Sequence, residues 1–423
     1  MKRLVVMMCV AMAWPLTAGA QVNGTVTVMG DMLTDAYPDG RQAVSELRTR
    51  AQVEGRHDLG SALRLVAGGY VDTLVSDRRQ PSGERISGAA HVRPLDVYAE
   101  ARTRFVEVRG GMSRIVWGRL DEFQPTDVVN PIDLSRFVTD GRAEARLSVP
   151  MLQARVFLPA SATLEALVTP RFRAGVFDEL HESTSPFNLA PKGLPLVRVT
   201  PDVEWNPRRI PGGARLSATT GRVDWSISTF RGNRAFPIYS ANGIVPAITE
   251  TFPEFTMVGG DFETARGPWG IRGEVAAFTK DALQSTRFAR GVAGRSWQGG
   301  VGVDRKAGAY RVAGDVLWAS ASVDPDSPEA VRIAALDPDV EHHSLSLVGS
   351  ADRSFAKDTR RVRGFAVYDA THRTSFSRFI GAVSLGDNVW FETSAGLFLG
   401  RSAEPLGRLT NEDFVYARLK VFF

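Results

Sequence analysis

Cysteine is almost absent from this chain: the one example, Cys9, lies inside an apolar N-terminal run, which leaves no disulfide framework and no thiol chemistry for the rest. Lys2 and Arg3 precede that run, Leu4 to Leu16 form it, and Ala18-Gly19-Ala20 supplies small residues of an A-x-A cleavage site. Residues 1–20 therefore read as a signal peptide, with Gln21 opening the exported chain of 21–423. A short transmembrane anchor is the alternative, but the run falls short of the roughly 20 residues a spanning helix needs. Cys9 lacks the setting of a lipid-attachment site. Beyond this segment no stretch is long and apolar enough for a membrane helix. A large excess of charge is also missing, since 51 basic residues face 47 acidic ones, for a net charge of +4. No nucleic-acid partner follows from so small an excess. The six histidines are scattered, and the adjacent His342 and His343 would point to opposite faces of a strand, a poor chelating pair. No Ser/His/Asn or Asp/His cluster suggests an enzyme, and no cofactor motif is present.

What the sequence has is alternation. Val415, Ala417, Leu419, Val421 and Phe423 form an apolar row, while Tyr416, Arg418 and Lys420 face the other way. Val97, Ala99 and Ala101 alternate likewise with Tyr98, Glu100 and Arg102. The content of 43% hydrophobic residues and a mean hydropathy of −0.11 suggest a soluble protein, taken alone. A closed barrel reconciles them, because half of each strand faces a polar lumen. About eighteen candidate strands follow, among them 106–118, 143–157 and 161–173, the second with a bulge expected at Pro150. Link length alternates too. Short links fall at Leu158–Ser161, Thr220–Gly221 and Gly386–Asp387, and long ones at Arg119–Arg142, Ala174–Gly212, Lys280–Arg295 and Ser322–Glu341. Only the link near 371–373 is shorter than its place in this series demands. The expected fold is an all-β, transmembrane, antiparallel up-and-down barrel of about 16–18 strands with an inward-folding loop. The strand ending in Phe423 resembles the C-terminal assembly signal of Gram-negative outer-membrane barrels. That resemblance implies outer-membrane lipid and the barrel assembly machinery as partners.

The loop 119–142 is the most informative link. Pro125 and Pro131 block ladder pairing, Asp127, Asn130 and Asp133 suit local turns, and Val128, Val129, Ile132, Leu134 and Phe137 are apolar for an exposed loop. A constriction element inside the lumen, carrying Asp121, Glu122, Asp127, Asn130 and Asp133, is one reading; a compact outer cap is the other. Arg102, Arg104, Arg109, Arg146, Arg155, Arg171 and Arg173 are candidate pore-lining residues, which would favour anions, or else structural ion-pair partners of the wall and loop. Asp324, Asp326, Asp337 and Asp339 enrich one outer loop without any calcium-loop spacing.

The run Val116-Trp117-Gly118-Arg119, then Asp127-Val128-Val129-Asn130-Pro131-Ile132-Asp133, then Leu147-Ser148-Val149-Pro150-Met151, resembles a family of uncharacterised Gram-negative outer-membrane barrels. Members show a Val-x-Trp-Gly strand end, a Val-x-Asn-Pro-x-Asp loop and a Val-Pro-Met strand, and are treated as porin-like or alginate-export-like. The likeness covers mainly residues 97–173 and implies location and fold without a substrate. The expected function is a channel for small polar or anionic solutes. The rival is a plugged structural or adhesive barrel that binds partners through its outer loops. A homo-oligomer is open to either, though the sequence marks no interface.

Overall fold

The computed structural model describes residues 20–33, 44–79, 85–87, 91–176, 197–199, 209–242, 247–401, 404, 406–410 and 413–423, so of the proposed signal segment 1–20 only Ala20 lies within them. Eighteen antiparallel strands close on themselves as an up-and-down barrel. They are β1 (Ala20–Leu33), β2 (Val44–Leu59), β3 (Leu63–Arg79), β4 (His91–Arg102), β5 (Val106–Ser113) and β6 (Val149–Leu158). Then come β7 (Ala162–Val168), β8 (Gly212–Thr220), β9 (Val223–Asn233), β10 (Glu254–Arg266), β11 (Trp269–Ser285) and β12 (Arg290–Ala307). The circuit ends with β13 (Tyr310–Val323), β14 (His342–Phe355), β15 (Arg360–Asp369), β16 (Thr374–Gly386), β17 (Val389–Leu399) and β18 (Phe414–Phe422). Every strand pairs with its sequence neighbours, and β1 joins β18 from Thr25↔Phe422 to Leu33↔Phe414. The first strand is thus the one that closes the barrel. A short strand, Arg85–Ser87, pairs antiparallel with the end of β3, and a separate sheet of Val197–Val199, Ile238–Asn242 and Ala247–Thr251 lies in the long links.

The period of two sorts the side chains as expected. On β18, Phe414, Tyr416 and Arg418 are buried towards the lumen, while Val415 and Leu419 are exposed on the outside. Outward-facing Val26, Val28, Leu152, Leu164, Ile227, Val258, Val301 and Leu347 continue the apolar band around the wall. Aromatic residues edge it: Trp269, Tyr310 and Phe355 near the short turns, Trp297 and Trp318 towards the long links. The run from Tyr310 to Trp318 spans about 27 Å of strand, or about 20 Å along the axis once tilted. That is close to the height of a lipid-facing band.

Five expectations need correction. The strand expected over 106–118 stops at Ser113, because residues 114–118 turn into the lumen. The 143–157 strand begins at Val149, and Arg142–Ala145 is a helical turn. No bulge occurs at Pro150: the β5–β6 register runs unbroken from Val106↔Val156 to Ser113↔Val149. The apolar run that suggested a bulge, inward and outward alike, has another cause, since Val149 and Met151 face inwards onto a core inside the barrel while Leu152 faces out. The 161–173 strand ends at Val168. Finally, Lys280–Arg295 is no loop, because β11 and β12 continue past an irregularity at Phe278/Asp281 to a hairpin of residues 286–289. The tall hairpin packs Leu283 and Val292 against Ala330, Ile333 and Val340 of the following long link, whose helix Pro328–Leu336 is capped by Ser327.

Candidate functional site: the loop in the lumen

Residues 114–148 leave the wall between β5 and β6 and fold inwards. Their base is an apolar core: Ile115, Trp117 and Val129 pack with Val149, Met151, Leu167, Phe230, Phe255, Met257, Ala276 and Phe278 from the facing wall. Trp117 is 1% exposed, meets Phe230 edge-on at 6.3 Å, and donates its indole N–H to Glu165 Oε1 at 2.8 Å. Burying each such side chain contributes roughly 1.5–3 kcal/mol, so this core alone outweighs the ordering of the loop's first turn.

Two polar side chains fasten the chain entering and leaving that core. Asn130 accepts from Ile115 N at 2.9 Å and donates to the carbonyls of Ser113 and Leu147, both at 2.9 Å. One amide therefore joins the descending segment, the loop and the returning segment. Glu274, on β11, receives Arg119 N at 2.9 Å and Leu120 N at 3.4 Å on one oxygen. Its other oxygen receives Thr126 N at 2.6 Å and Thr126 Oγ1 at 2.7 Å. Gly118 makes this approach feasible: its φ is +91°, and an added Cβ would lie 2.5 Å from the Glu274 carboxylate oxygens.

From this base the loop reaches the other walls through charge. Arg119 bonds Asp261 at 2.8 Å, Asp121 bonds Arg272 at 2.6 Å, Glu122 bonds Arg363 at 2.8 Å and Asp133 bonds Arg93 at 2.7 Å. Arg378 donates to the carbonyls of Val138 and Thr139 at 2.5 and 2.9 Å, at the end of the helix Leu134–Asp140. Arg418 meets Asp140 at 3.0 Å. The loop is thus held by β4, β10, β11, β15, β16 and β18. It crosses the lumen.

The candidate loop residues divide in two. Asp127, Asn130 and Asp133 are buried in the fastening of the base, Asp127 receiving Arg142 at 3.3 Å, Arg146, and the Trp117 amide. Asp121 and Glu122 remain partly exposed at the crossing. The arginines divide likewise. Arg109 pairs with Glu100 at 2.7 Å, Arg155 with Glu165 at 2.9 Å and Glu107 at 3.2 Å, and Arg146 is buried against Asp127. Arg102 is exposed, with its guanidinium over Phe157, and pairs with no carboxylate among the described residues. Arg104 is not on the wall at all; it sits in the β4–β5 turn over Phe105. Arg171 and Arg173 lie beyond β7; Arg171 is exposed, and Arg173 donates to Ser148 O at 2.6 Å. Burial, and then the charge of Arg93, lowers the Arg173 pKa from its ordinary value.

Glu274, Asp261, Arg272, Arg363, Arg378 and Arg418 were not singled out from sequence. Their signal was present as charged residues at inward positions of alternating strands, but strand alternation does not say which of them meets a distant loop. The acidic residues of the 324–341 link do not converge: Asp324 and Asp326 pair with Arg295, and Asp337 accepts from Ser285. Between loop and wall lies a cavity of about 320 Å³, lined by Phe123, Val128, Ile132, Phe236, Phe255 and Phe278, with Arg142 and Arg234 at its polar side.

No family model and no curated protein matches the chain. Solved structures do. OccAB3 of Acinetobacter baumannii is 10% identical, with a TM-score of 0.53 over 96% of this chain and 100% of its own. OpdK of Pseudomonas aeruginosa, solved with vanillate, is 9% identical, with a TM-score of 0.52 over 96% and 98%. A BenF-like porin from Pseudomonas fluorescens Pf-5 is 11% identical, with a TM-score of 0.51 over 96% and 98%. At these identities the likeness establishes the fold: an 18-stranded barrel of porin architecture.

Proposed function

We propose that this protein is a porin-like channel of the Gram-negative outer membrane, passing small polar or anionic solutes through a lumen narrowed by residues 119–142. The apolar outer band edged by aromatic residues supports a bilayer setting. The observation that carries the channel reading is the reach of the loop from its core to Arg363, Arg378 and Arg418 on the far strands. A loop pinned at both sides divides the lumen instead of closing its mouth. Asp121 and Glu122 stand at the constriction, and the exposed Arg102 and Arg171 supply uncompensated positive field for anions. Arg109, Arg146 and Arg155 serve as ion-pair partners, and Asp127, Asn130 and Asp133 as the loop's fastening. The residues resembling the uncharacterised barrel family are those that build this base, Trp117, Gly118, Asn130, Val149 and Met151, which supports placing the chain with that family.

A plugged barrel is the rival, because the eleven-residue apolar core fills part of the lumen. Single-channel recording in planar bilayers separates them. Discrete openings with an anion preference are expected, and removal of Asp121–Gln124 enlarges them. A barrel that conducts neither before nor after that removal is a plugged one.

A further inference from the structure

Most charged contacts of the lumen arginines are to carboxylates, as at Arg109, Arg119, Arg155, Arg215 and Arg272. On the outside of one sector the pattern reverses. Arg305 of β12 shares a face with the exposed Val301 and Val303, and Arg353 of β14 with Leu345 and Leu347, so both point away from the lumen. Neither forms an ion pair among the described residues. Each guanidinium lies instead on aromatic rings: Arg305 is 4.9 Å from the Trp269 centroid, and Arg353 is 4.6 Å from Tyr310 and 5.8 Å from Phe355. The register sets these contacts, since Trp269 stands opposite Arg305 and Tyr310 opposite Arg353.

The surroundings carry no compensating anion on that face. Asp304 points inwards to Arg311 and Arg272, and Asp352 is also on the lumen side. Arg266 at the end of β10 and Arg360 at the start of β15 occupy the same outward rim, also without ion pairs among the described residues. Asp358, in the β14–β15 turn, is the acid nearest in sequence to Arg360. Elsewhere beside the short turns, Arg56 pairs with Asp58 on the lumen face, and Phe423 and Leu385 present apolar surface. Arg104 in the β4–β5 turn is also unmatched among the described residues, so what marks this sector is the grouping of four outward arginines, Arg266, Arg305, Arg353 and Arg360, on strands β10 to β15 at the edge of the apolar band. Arg305 and Arg353 are on strands two apart, about 10 Å, within the reach of one headgroup.

We propose that this rim, centred on Arg305 and Arg353, binds the phosphodiester of an anionic phospholipid in the leaflet beside the short turns. Guanidinium forks match phosphate oxygens in pairs, and the aromatic rings hold them flat at the depth of the headgroup. The inference rests on the barrel standing in a bilayer.

The test uses the purified barrel in nanodiscs of phosphatidylcholine containing either brominated phosphatidylglycerol or brominated phosphatidylcholine, reading tryptophan quenching. The wild-type protein is quenched several-fold more per brominated phosphatidylglycerol, and Arg305→Gln with Arg353→Gln abolishes the excess while quenching by phosphatidylcholine persists. Raising salt towards molar collapses the excess in the wild type, a readout that needs no variant. Equal quenching by the two lipids, a salt-independent excess, or an excess surviving in the heat-modifiable double variant overturns the proposal. Loss of the excess to millimolar inorganic phosphate overturns the lipid assignment in favour of a free-anion site. Absence of quenching by either lipid sinks the bilayer reading itself.

Discussion

Gly24 and Phe423 are joined by two backbone hydrogen bonds, Gly24 N to Phe423 O at 2.8 Å and Phe423 N to Gly24 O at 3.0 Å, with the phenyl ring filling the space of a side chain at 24. An added Cβ would fall 2.2 Å from the ring. This pair lies on the β1–β18 seam that closes the barrel, so a glycine in the first strand and an aromatic residue in the last are one structural unit.

Gly24→Val is therefore expected to displace the ring and to lower the yield of heat-modifiable barrel several-fold. Deleting Phe423 does the same, and Gly30→Val, where an added Cβ meets nothing within 4 Å, leaves the yield near wild type. Band shift on unheated gels reads all three. Equal yields for Gly24→Val and Gly30→Val would remove the seam argument.

Glu274 takes four hydrogen bonds from the inward loop, and its loss leaves three backbone amides and a hydroxyl without their acceptor. Hydrogen bonds to a charged group contribute about 1.5–3 kcal/mol each, though not additively. Glu274→Ala is expected to destabilise the loop by several of these increments and to turn steady openings into flicker. Gly118→Ala acts on the same contact from the other side, through its φ of +91° and the clash with the carboxylate. Quiet openings in both variants would show that the loop is held without this carboxylate.

The arginines separate into two phenotypes. Arg102→Gln with Arg171→Gln lowers anion preference and spares thermal stability, since neither side chain has a carboxylate partner among the described residues. Arg146→Gln leaves Asp127 buried with less compensation and costs about 3–5 kcal/mol of stability. Reversal potentials and melting by circular dichroism distinguish the two. A stability loss in the first variant, or a pure selectivity change in the second, contradicts the assignment.

Orientation follows from link length. Tags at Asp326 are reachable on intact cells, and tags at Gly221 or Asp387 only after the outer membrane is breached. Antibody labelling with the opposite order inverts the barrel.

Most of the barrel was legible because strand alternation is a local signal: Val415 and Leu419 against Tyr416 and Arg418 need no partner to be read. It misled where the lumen is itself apolar. Val149 and Met151 looked like a change of phase because their inward partner, Trp117, comes from a distant segment. The tall β11–β12 hairpin was hidden for the same reason, its inner face being covered by the 324–341 link. Within the loop, Asn130 and Asp127 stood out by type, whereas Glu274 stood more than a hundred residues away in a strand like any other.

Cysteine placement tests the central claim most directly, since Cys9 is the chain's one cysteine. In a Cys9→Ser background, Glu122→Cys is exposed to a bulky thiol-reactive reagent during single-channel recording, with Asp326→Cys as the control. A lumen narrowed at 119–142 loses most of its conductance in a discrete step on modification at 122 and is unchanged at 326. Openings that survive full modification at 122, or a protein with no openings at all, would contradict the account.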